Sequence, residues 1–246
     1  MRRLLPSPAE DLDDAALADA YRAPADRFLR VNFVTTPDGS IAVEGRSGAL
    51  GSPGDRRVFQ LLRALADVVL VGSGTAAAEG YRPVLPDSAV GRLRGSLGRP
   101  VTAPIAVVSR RASLSPDDQL VTDAVTPTVL VTCAAADADR RAALAAAGVT
   151  VLICGDDDVD LSAAVAALAD RGLEQVICEG GPQLLRAALT AGVVDELDLT
   201  VAPAMVGSPQ RLLDTALPAV IPLALAQLLE EDGVLFARYS LRRQRS

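Results

Sequence analysis

The chain has no histidine, no lysine and no tryptophan, so all 24 of its basic residues are arginine. Without imidazole, the usual catalytic zinc sites and the Ser-His-Asp or Cys-His arrangements are excluded. Without a primary amine on a side chain there is no Schiff-base nucleophile and no phosphate-loop lysine. Cysteine is scarce: Cys133, Cys154 and Cys178 are odd in number, form no CxxC, and each sits in or at the end of an apolar run. They read as buried, reduced thiols in strands. No long apolar run occurs either. The longest uncharged stretch, 215–229, has 15 residues and two prolines, against the roughly 20 that a membrane span requires. The N-terminal MRRLLPSPAEDLDD lacks the apolar core of a leader peptide. A soluble, cytoplasmic protein is expected.

What remains is carboxylates, hydroxyls, arginines, thiols and backbone. A protein so equipped either binds, or lets a cofactor carry the difficult step. Its 246 residues are half hydrophobic, enough for one large domain with a core. The net charge of −7 argues against nonspecific binding to nucleic acid or anionic membranes.

Residues 1–26 are acidic, rich in alanine and bounded by proline, and could carry a short peripheral helix over 10–21. They read as an N-terminal extension to a domain spanning 27–246. From Arg27, β-rich runs alternate with helical ones. Strands are expected at 28–34, 67–72, 104–109, 128–133, 149–154, 175–179 and 195–202. Several are apolar throughout, as in parallel strands buried on both faces. Ser52-Pro53-Gly54-Asp55 is a helix start, with a serine cap and proline at the first position. Segments 137–147, 161–171 and 182–191 read as helices, each followed by glycine. The end reads as a hairpin, 223–230 and 234–241, about Glu231-Asp232-Gly233. The stretch 80–103, with Arg82, Arg92, Arg94 and Arg99, reads as a long loop of the functional or mobile kind.

Four places could carry chemistry. Glu179-Gly180-Gly181-Pro182 follows a buried strand and opens a helix, where backbone amides could meet a pyrophosphate. Val71-Gly72-Ser73-Gly74-Thr75 is a second such turn, able to hold phosphate or ribose. Both also suit bare strand-to-helix turns. Thr35-Thr36-Pro37-Asp38-Gly39 is a turn signal in its own right. Arg110-Arg111, after a strand end, could grip a 2′-phosphate or be a solvated surface pair.

In order and spacing these segments resemble one family. VNFVTTPDGSIA, GRSGALGSPGDRRVFQLLRALADVVLVGSGTAAAEGYRPV and VICEGGPQLLRAALTAGVVDELDLTVAPAMVGS are similar to the pyrimidine reductase domain of riboflavin biosynthesis, over about residues 27–241. The resemblance implies an α/β, dihydrofolate-reductase-like three-layer sandwich: a mixed, mostly parallel sheet with a C-terminal antiparallel hairpin, usually a homodimer. It implies NADPH as cofactor and a phosphorylated pyrimidine as substrate. The reaction implied is hydride transfer to C1′ of the ribosyl group of 5-amino-6-(5-phosphoribosylamino)uracil, giving the ribitylamino product. No metal is implied. The zinc signature of the deaminase half, H-x-E with P-C-x-x-C, is absent from the sequence.

Carried over by motif, Asp38 and Glu179 are the candidates for proton transfer. Ser47, Arg63 and Glu179 would meet substrate, with Arg63 on its phosphate and Asn32 as a further polar contact. Thr35, Gly72, Gly74, Thr75 and Glu79 would hold the cofactor. Ser109 and Arg110 would lie on its adenosine side. Gly180, Gly181, Pro182, Gln183 and Leu184 would cradle its pyrophosphate. Three departures fall on the substrate side. Ala49 stands where many members carry an aromatic, Glu79-Gly80-Tyr81-Arg82 replaces an acidic D-D-P turn, and a second phosphate-binding arginine is out of place, with Arg82 as substitute. Two alternatives stay open: an NADPH-dependent reductase of another heterocycle such as dihydrofolate, and a non-catalytic NADP-binding protein.

Overall fold

A computed structural model describes residues 1–213 and 215–241; the expected domain's last five residues, 242–246, lie outside them. Its strands are β1 (Arg2–Leu5), β2 (Phe28–Thr35), β3 (Val68–Gly72), β4 (Ile105–Val108), β5 (Val129–Thr132), β6 (Thr150–Ile153), β7 (Gln175–Cys178), β8 (Glu196–Val201), β9 (Leu223–Glu231) and β10 (Val234–Leu241). The helices are α1 (Asp14–Ala20), α2 (Pro53–Leu65), α3 (Ser73–Glu79), α4 (Ala89–Ser96), α5 (Gln119–Thr122), α6 (Ala138–Ala146), α7 (Leu161–Ala169) and α8 (Pro182–Thr190).

The strands form one sheet in the order β1-β9-β10-β8-β2-β7-β3-β4-β5-β6. From β8 to β6 every pairing is parallel. β1, β9 and β10 add antiparallel strands at one edge. The apolar runs are explained by burial on both faces. Along β3, Val69 and Val71 pack with Leu61 and Leu62 of α2, while Val68 and Leu70 pack with Leu168 of α7 and Leu185 of α8. The terminal hairpin turns through Asp232 (φ 52°) and Gly233 (φ 82°), the paired positive φ of a tight two-residue connection. All three cysteines are buried and free, and burial pushes the Cys178 thiol up to about 12.

Two expectations are corrected. The helix near the N-terminus is not peripheral: Leu17 and Tyr21 are almost wholly buried in the core under the sheet. β1 pairs with β9, and the Met1 ammonium lies 3.1 Å from Glu231. The stretch 80–103 is not an open loop, because α4 lies inside it.

Arg94 of α4 is 2% exposed. Its Nε donates to Pro100 O at 2.6 Å and its Nη1 to the carbonyls of Arg63, Ala64 and Ala66 at the end of α2. A guanidinium thus closes the carbonyl end of the helix that carries Arg63. Burial, with Arg99 adding to it, lowers the Arg94 pKa to about 10. Arg94→Met should destabilise the fold by about 3 kcal/mol, since it strands several buried acceptors. Thermal unfolding should show the midpoint lower by roughly 6–12 °C; an unmoved midpoint would make the cap dispensable.

Candidate active site

A cleft of about 1580 Å³ opens where β2, β3, β4 and β7 end, lined by residues from each strand exit and from α2, α3 and α8. Open α/β sheets bind ligands at this carboxyl edge. Two glycine turns make one wall. Gly72 N–H donates to Gly180 O at 2.7 Å, which ties the turns together. A Cβ on Gly181 would lie 2.6 Å from Thr75 Oγ1, and one on Gly72 would lie 3.5 Å from Gly180 O. Glycine at 181 leaves the Thr75 hydroxyl uncrowded on this wall. Neither α3, capped by Gly72, nor α8, capped by Gly181, has a side-chain cap. The first amides of α8 are left for a ligand. Gly74, Pro182, Gln183 and Leu184 continue the lining.

The opposite wall is built on α2, whose Ser52 cap and Pro53 fix its start. Arg63, in its last turn, meets Glu179 just beyond β7. Nε donates to Oε1 and Nη2 to Oε2, both at 2.7 Å. The Tyr81 hydroxyl donates to Oε2 at 2.6 Å. The guanidinium lies 4.4 Å from the Phe59 ring centroid and 5.0 Å from that of Tyr81. Burial weighs against the Arg63 charge, but the Glu179 carboxylate outweighs it and the pKa is raised. Burial, reinforced by the Glu179 charge, holds the Tyr81 phenol well above its ordinary value. Tyr81 is delivered by the departure noted in the sequence. Gly80 ends α3 in the left-handed region (φ 64°), and Tyr81 N–H donates back to Ala76 O, as in a Schellman ending.

Between the walls, Glu79 Oε1 accepts from both the amide and the hydroxyl of Ser47 at 2.9 Å. Asp55, half-buried in the first turn of α2, also lines the cleft. Burial raises its carboxyl pKa, against the Thr200 hydroxyl and the Arg56 charge. No cation lies within ion-pair distance of it among the described residues. Asn32 lines the floor. Ser109 stands at the far end with its hydroxyl bonded to Ser113. Arg110 and Arg111 are exposed there.

The structure brings most of the expected residues together, with four differences. Asp38 does not line the cleft. Its carboxylate accepts from Thr36 Oγ1, from Ser40 Oγ at 3.0 Å and from Gly207 N at 2.6 Å. Those bonds, the Thr36 hydroxyl foremost, hold it well below the usual carboxylate range. It is a clasp between the first turn and the loop after β8. Thr35 is buried, its hydroxyl donating to Ser40 O at 3.1 Å. Gly180 faces away, under the Phe33 ring, which a Cβ would approach to 2.3 Å. Arg82 lines the cleft but is exposed and leans to Asp123 at 4.0 Å. Asp55, Phe59 and Tyr81 were missed. The first two share α2 with Arg63 at a spacing of four, which is one helical face. That spacing was the available signal.

The class is an α/β fold on a mostly parallel sheet with antiparallel strands at one edge and its cleft at the carboxyl edge. Residues 27–230 match the RibD C-terminal domain, and the chain belongs to that family. A 2,5-diamino-6-ribosylamino-4(3H)-pyrimidinone 5′-phosphate reductase of Methanothermobacter thermautotrophicus is 30% identical over 180 residues, 73% of this chain and 79% of that protein. The riboflavin biosynthesis protein RibD of Bacillus amyloliquefaciens is 28% identical over 181 residues; they make up 73% of this chain but 46% of that longer protein. Among solved structures, a pyrimidine reductase-like protein of Corynebacterium diphtheriae superposes with a TM-score of 0.73 at 28% identity. That alignment covers 89% of this chain and 93% of the other.

Proposed function

We propose that the chain is an NADPH-dependent reductase of riboflavin biosynthesis. It would reduce the ribosyl group of 5-amino-6-(5-phosphoribosylamino)uracil, or of its diaminopyrimidinone counterpart, to ribitylamino. The carrying observation is the tied pair of glycine turns facing the α2 wall across one cleft. Support for a pyrophosphate there is that Gly181 presents bare backbone, where a Cβ would crowd the Thr75 hydroxyl, and that α8 starts without a side-chain cap. Thr75 and Glu79 would hold ribose, and Arg110 with Arg111 the 2′-phosphate. When bound, NADPH supplies the hydride.

The chain's own groups bind, orient and supply a proton. Arg63 is committed to Glu179, so the substrate phosphate falls to cations free at the cleft, of which Arg56 has no ion pair among the described residues. The Phe59–Arg63–Tyr81 stack offers a flat, rigid wall for a heterocycle. Each hydride delivered to C1′ needs one proton, and we assign it to Asp55, whose burial favours the protonated carboxyl. Its protonated form is the active one, so kcat should fall as pH rises through its raised pKa. Asp55→Asn should lower kcat roughly 100-fold or more and abolish that alkaline decline. An unchanged profile would move the acid elsewhere.

Asp55 also favours a second reading. A half-buried carboxyl can pair with the amino edge of a pteridine, and dihydrofolate would then be the substrate. Loss of nicotinamide absorbance, followed with each compound in turn, separates the two. Turnover of the ribosylamino-pyrimidine phosphate supports the first, of dihydrofolate alone the second, and of neither a binding protein.

The partner we propose is a second copy of this chain. Leu223 and Leu225 of β9 and Leu235 of β10 are 44%, 44% and 36% exposed. Leu223 and Leu225 pair with Leu241 and Tyr239 across the hairpin, which groups apolar side chains on one face of the sheet edge. Leu223→Asp/Leu225→Asp should convert a dimer to a monomer by light scattering; a wild-type monomer would refute it. No described helix is long and apolar enough to cross a membrane, and the unpaired buried thiols favour a reducing compartment, the cytoplasm.

A further inference from the structure

β8 turns a polar face into the core. Glu196, Asp198 and Thr200 alternate along it and are almost wholly buried, in the layer where β3 offers Val69 and Val71. The two carboxylates are answered by arginines of the neighbouring strands. Arg238 Nη2 donates to Glu196 Oε2 at 2.6 Å, its Nε lies 3.8 Å from Asp198, and Arg30 Nη2 lies 3.5 Å from Glu196. Thr200 stands beyond these cations. Its partners in register are Val34 of β2 and Phe236 of β10, whose side chains have no polar atom to offer its hydroxyl.

What Thr200 meets is the start of α2. Gly54 is buried there, and a Cβ on it would lie 3.1 Å from Phe236 Cζ and closer still to the Glu231 carboxylate. Its bare Cα lets the first turn of α2 settle on β10, the neighbour of β8 in the sheet. Asp55 follows, and the Thr200 hydroxyl hydrogen-bonds its carboxyl. On another side that carboxyl meets bare backbone, since a Cβ on Gly51 would lie 3.0 Å from Oδ2. A carboxyl three residues after a serine cap ordinarily turns back to the cap amide. Here Asp55 N donates to Ser52 Oγ at 3.0 Å, but among the described residues no bond returns from Ser52 N–H to the Asp55 side chain. The carboxyl is turned to the sheet instead.

We propose that Thr200 is a positioning residue for the reduction: it holds the Asp55 carboxyl at the cleft and steadies the carboxylate left when that group gives up its proton. This rests on the reading of Asp55 as the proton donor. Opening a ribosyl ring to a ribityl chain breaks the C1′–O bond, and the electron pair stays on oxygen. C1′ gains the hydride, the oxygen gains the Asp55 proton, and Asp55 is left charged. A hydroxyl that donates to that charge favours it. Thr200 does so from the buried side, which leaves the cleft side to substrate. The other charges about Asp55 are Arg56 on its own helix, Glu231 at Gly54, Asp198 two residues back on β8, and Glu79 and Arg63 along the lining. A change at Thr200 alters none of them.

The first test needs no coenzyme. NMR of the full chain, with isotope-labelled aspartate carboxyls, follows the Asp55 titration, assigned by its loss in Asp55→Asn. Thr200→Val should raise the midpoint by about one pH unit, because the bond that favours the charged form is gone. Thr200→Ala should do the same with no methyl in the place of the hydroxyl, and Thr200→Ser should keep the parent midpoint. In turnover, Thr200→Val should lower kcat about tenfold with KM little changed, and move the alkaline decline to higher pH. Thr200→Ser should restore both. A midpoint unmoved in the two variants without the hydroxyl, or raised equally in Thr200→Ser, overturns the role of Thr200 and leaves the Asp55 assignment standing. An alkaline decline that survives in Asp55→Asn overturns both.

Discussion

Gly181→Val should cost the chain its affinity for NADPH, by roughly 100-fold or more. The Cβ alone would stand 2.6 Å from Thr75 Oγ1, on the wall where the two turns touch. Relief requires the Thr75 hydroxyl to rotate away or the α8 start to shift, and the larger valine side chain would stand on the wall where Gly72 N–H is tied to Gly180 O at 2.7 Å. Overpacking of this kind costs about 1–3 kcal/mol. Lost amide contacts to a pyrophosphate add to it, and about 1.4 kcal/mol is tenfold in affinity. Fluorescence titration with NADPH measures the loss, and a far-ultraviolet spectrum checks that the variant is folded. A folded variant with ordinary affinity would remove the pyrophosphate from this turn.

Arg63→Ala should destabilise the fold rather than weaken a phosphate contact. The Glu179 side chain is 2% exposed and takes both arms of the guanidinium. Removing one partner of a buried pair costs about 3–5 kcal/mol, because the other charge stays behind. The Phe59 and Tyr81 rings would also lose the cation between them. Denaturant unfolding should therefore show a large loss of stability. Arg63→Met/Glu179→Gln should recover much of it, since no unpaired charge is left. If Arg63→Ala were as stable as the parent and changed only the KM of a phosphorylated substrate, the guanidinium would belong to that phosphate, as the family resemblance implies.

Local signals carried the sequence reading a long way. Ser52-Pro53 marks the start of α2, and unbroken apolar runs mark the parallel strands, because both depend on neighbours in the chain. What failed was non-local. Arg63 and Glu179 are 116 residues apart, and Asp38 meets Gly207 across 169. Nothing near Asp38 in sequence tells a catalytic carboxylate from a clasp. β1 is a four-residue charged strand whose partner, β9, lies at the other end of the chain. α4 was hidden by its composition. It contains Gly91 and Gly95, poor helix formers, yet a Cβ at Gly91 would lie 2.2 Å from Leu85 O, so packing selects glycine there. Tyr81 was visible as a departure from the family pattern. Its role needed the left-handed turn at Gly80 and the position of Glu179.

The most direct measurement is a crystal structure of the chain with NADPH. The pyrophosphate should lie on the amides that open α8, beside Gly72–Thr75, with the 2′-phosphate at Arg110 and Arg111 and the nicotinamide toward Asp55. A coenzyme bound elsewhere in the cleft, or crystals that take up none at saturating concentration, would contradict the account.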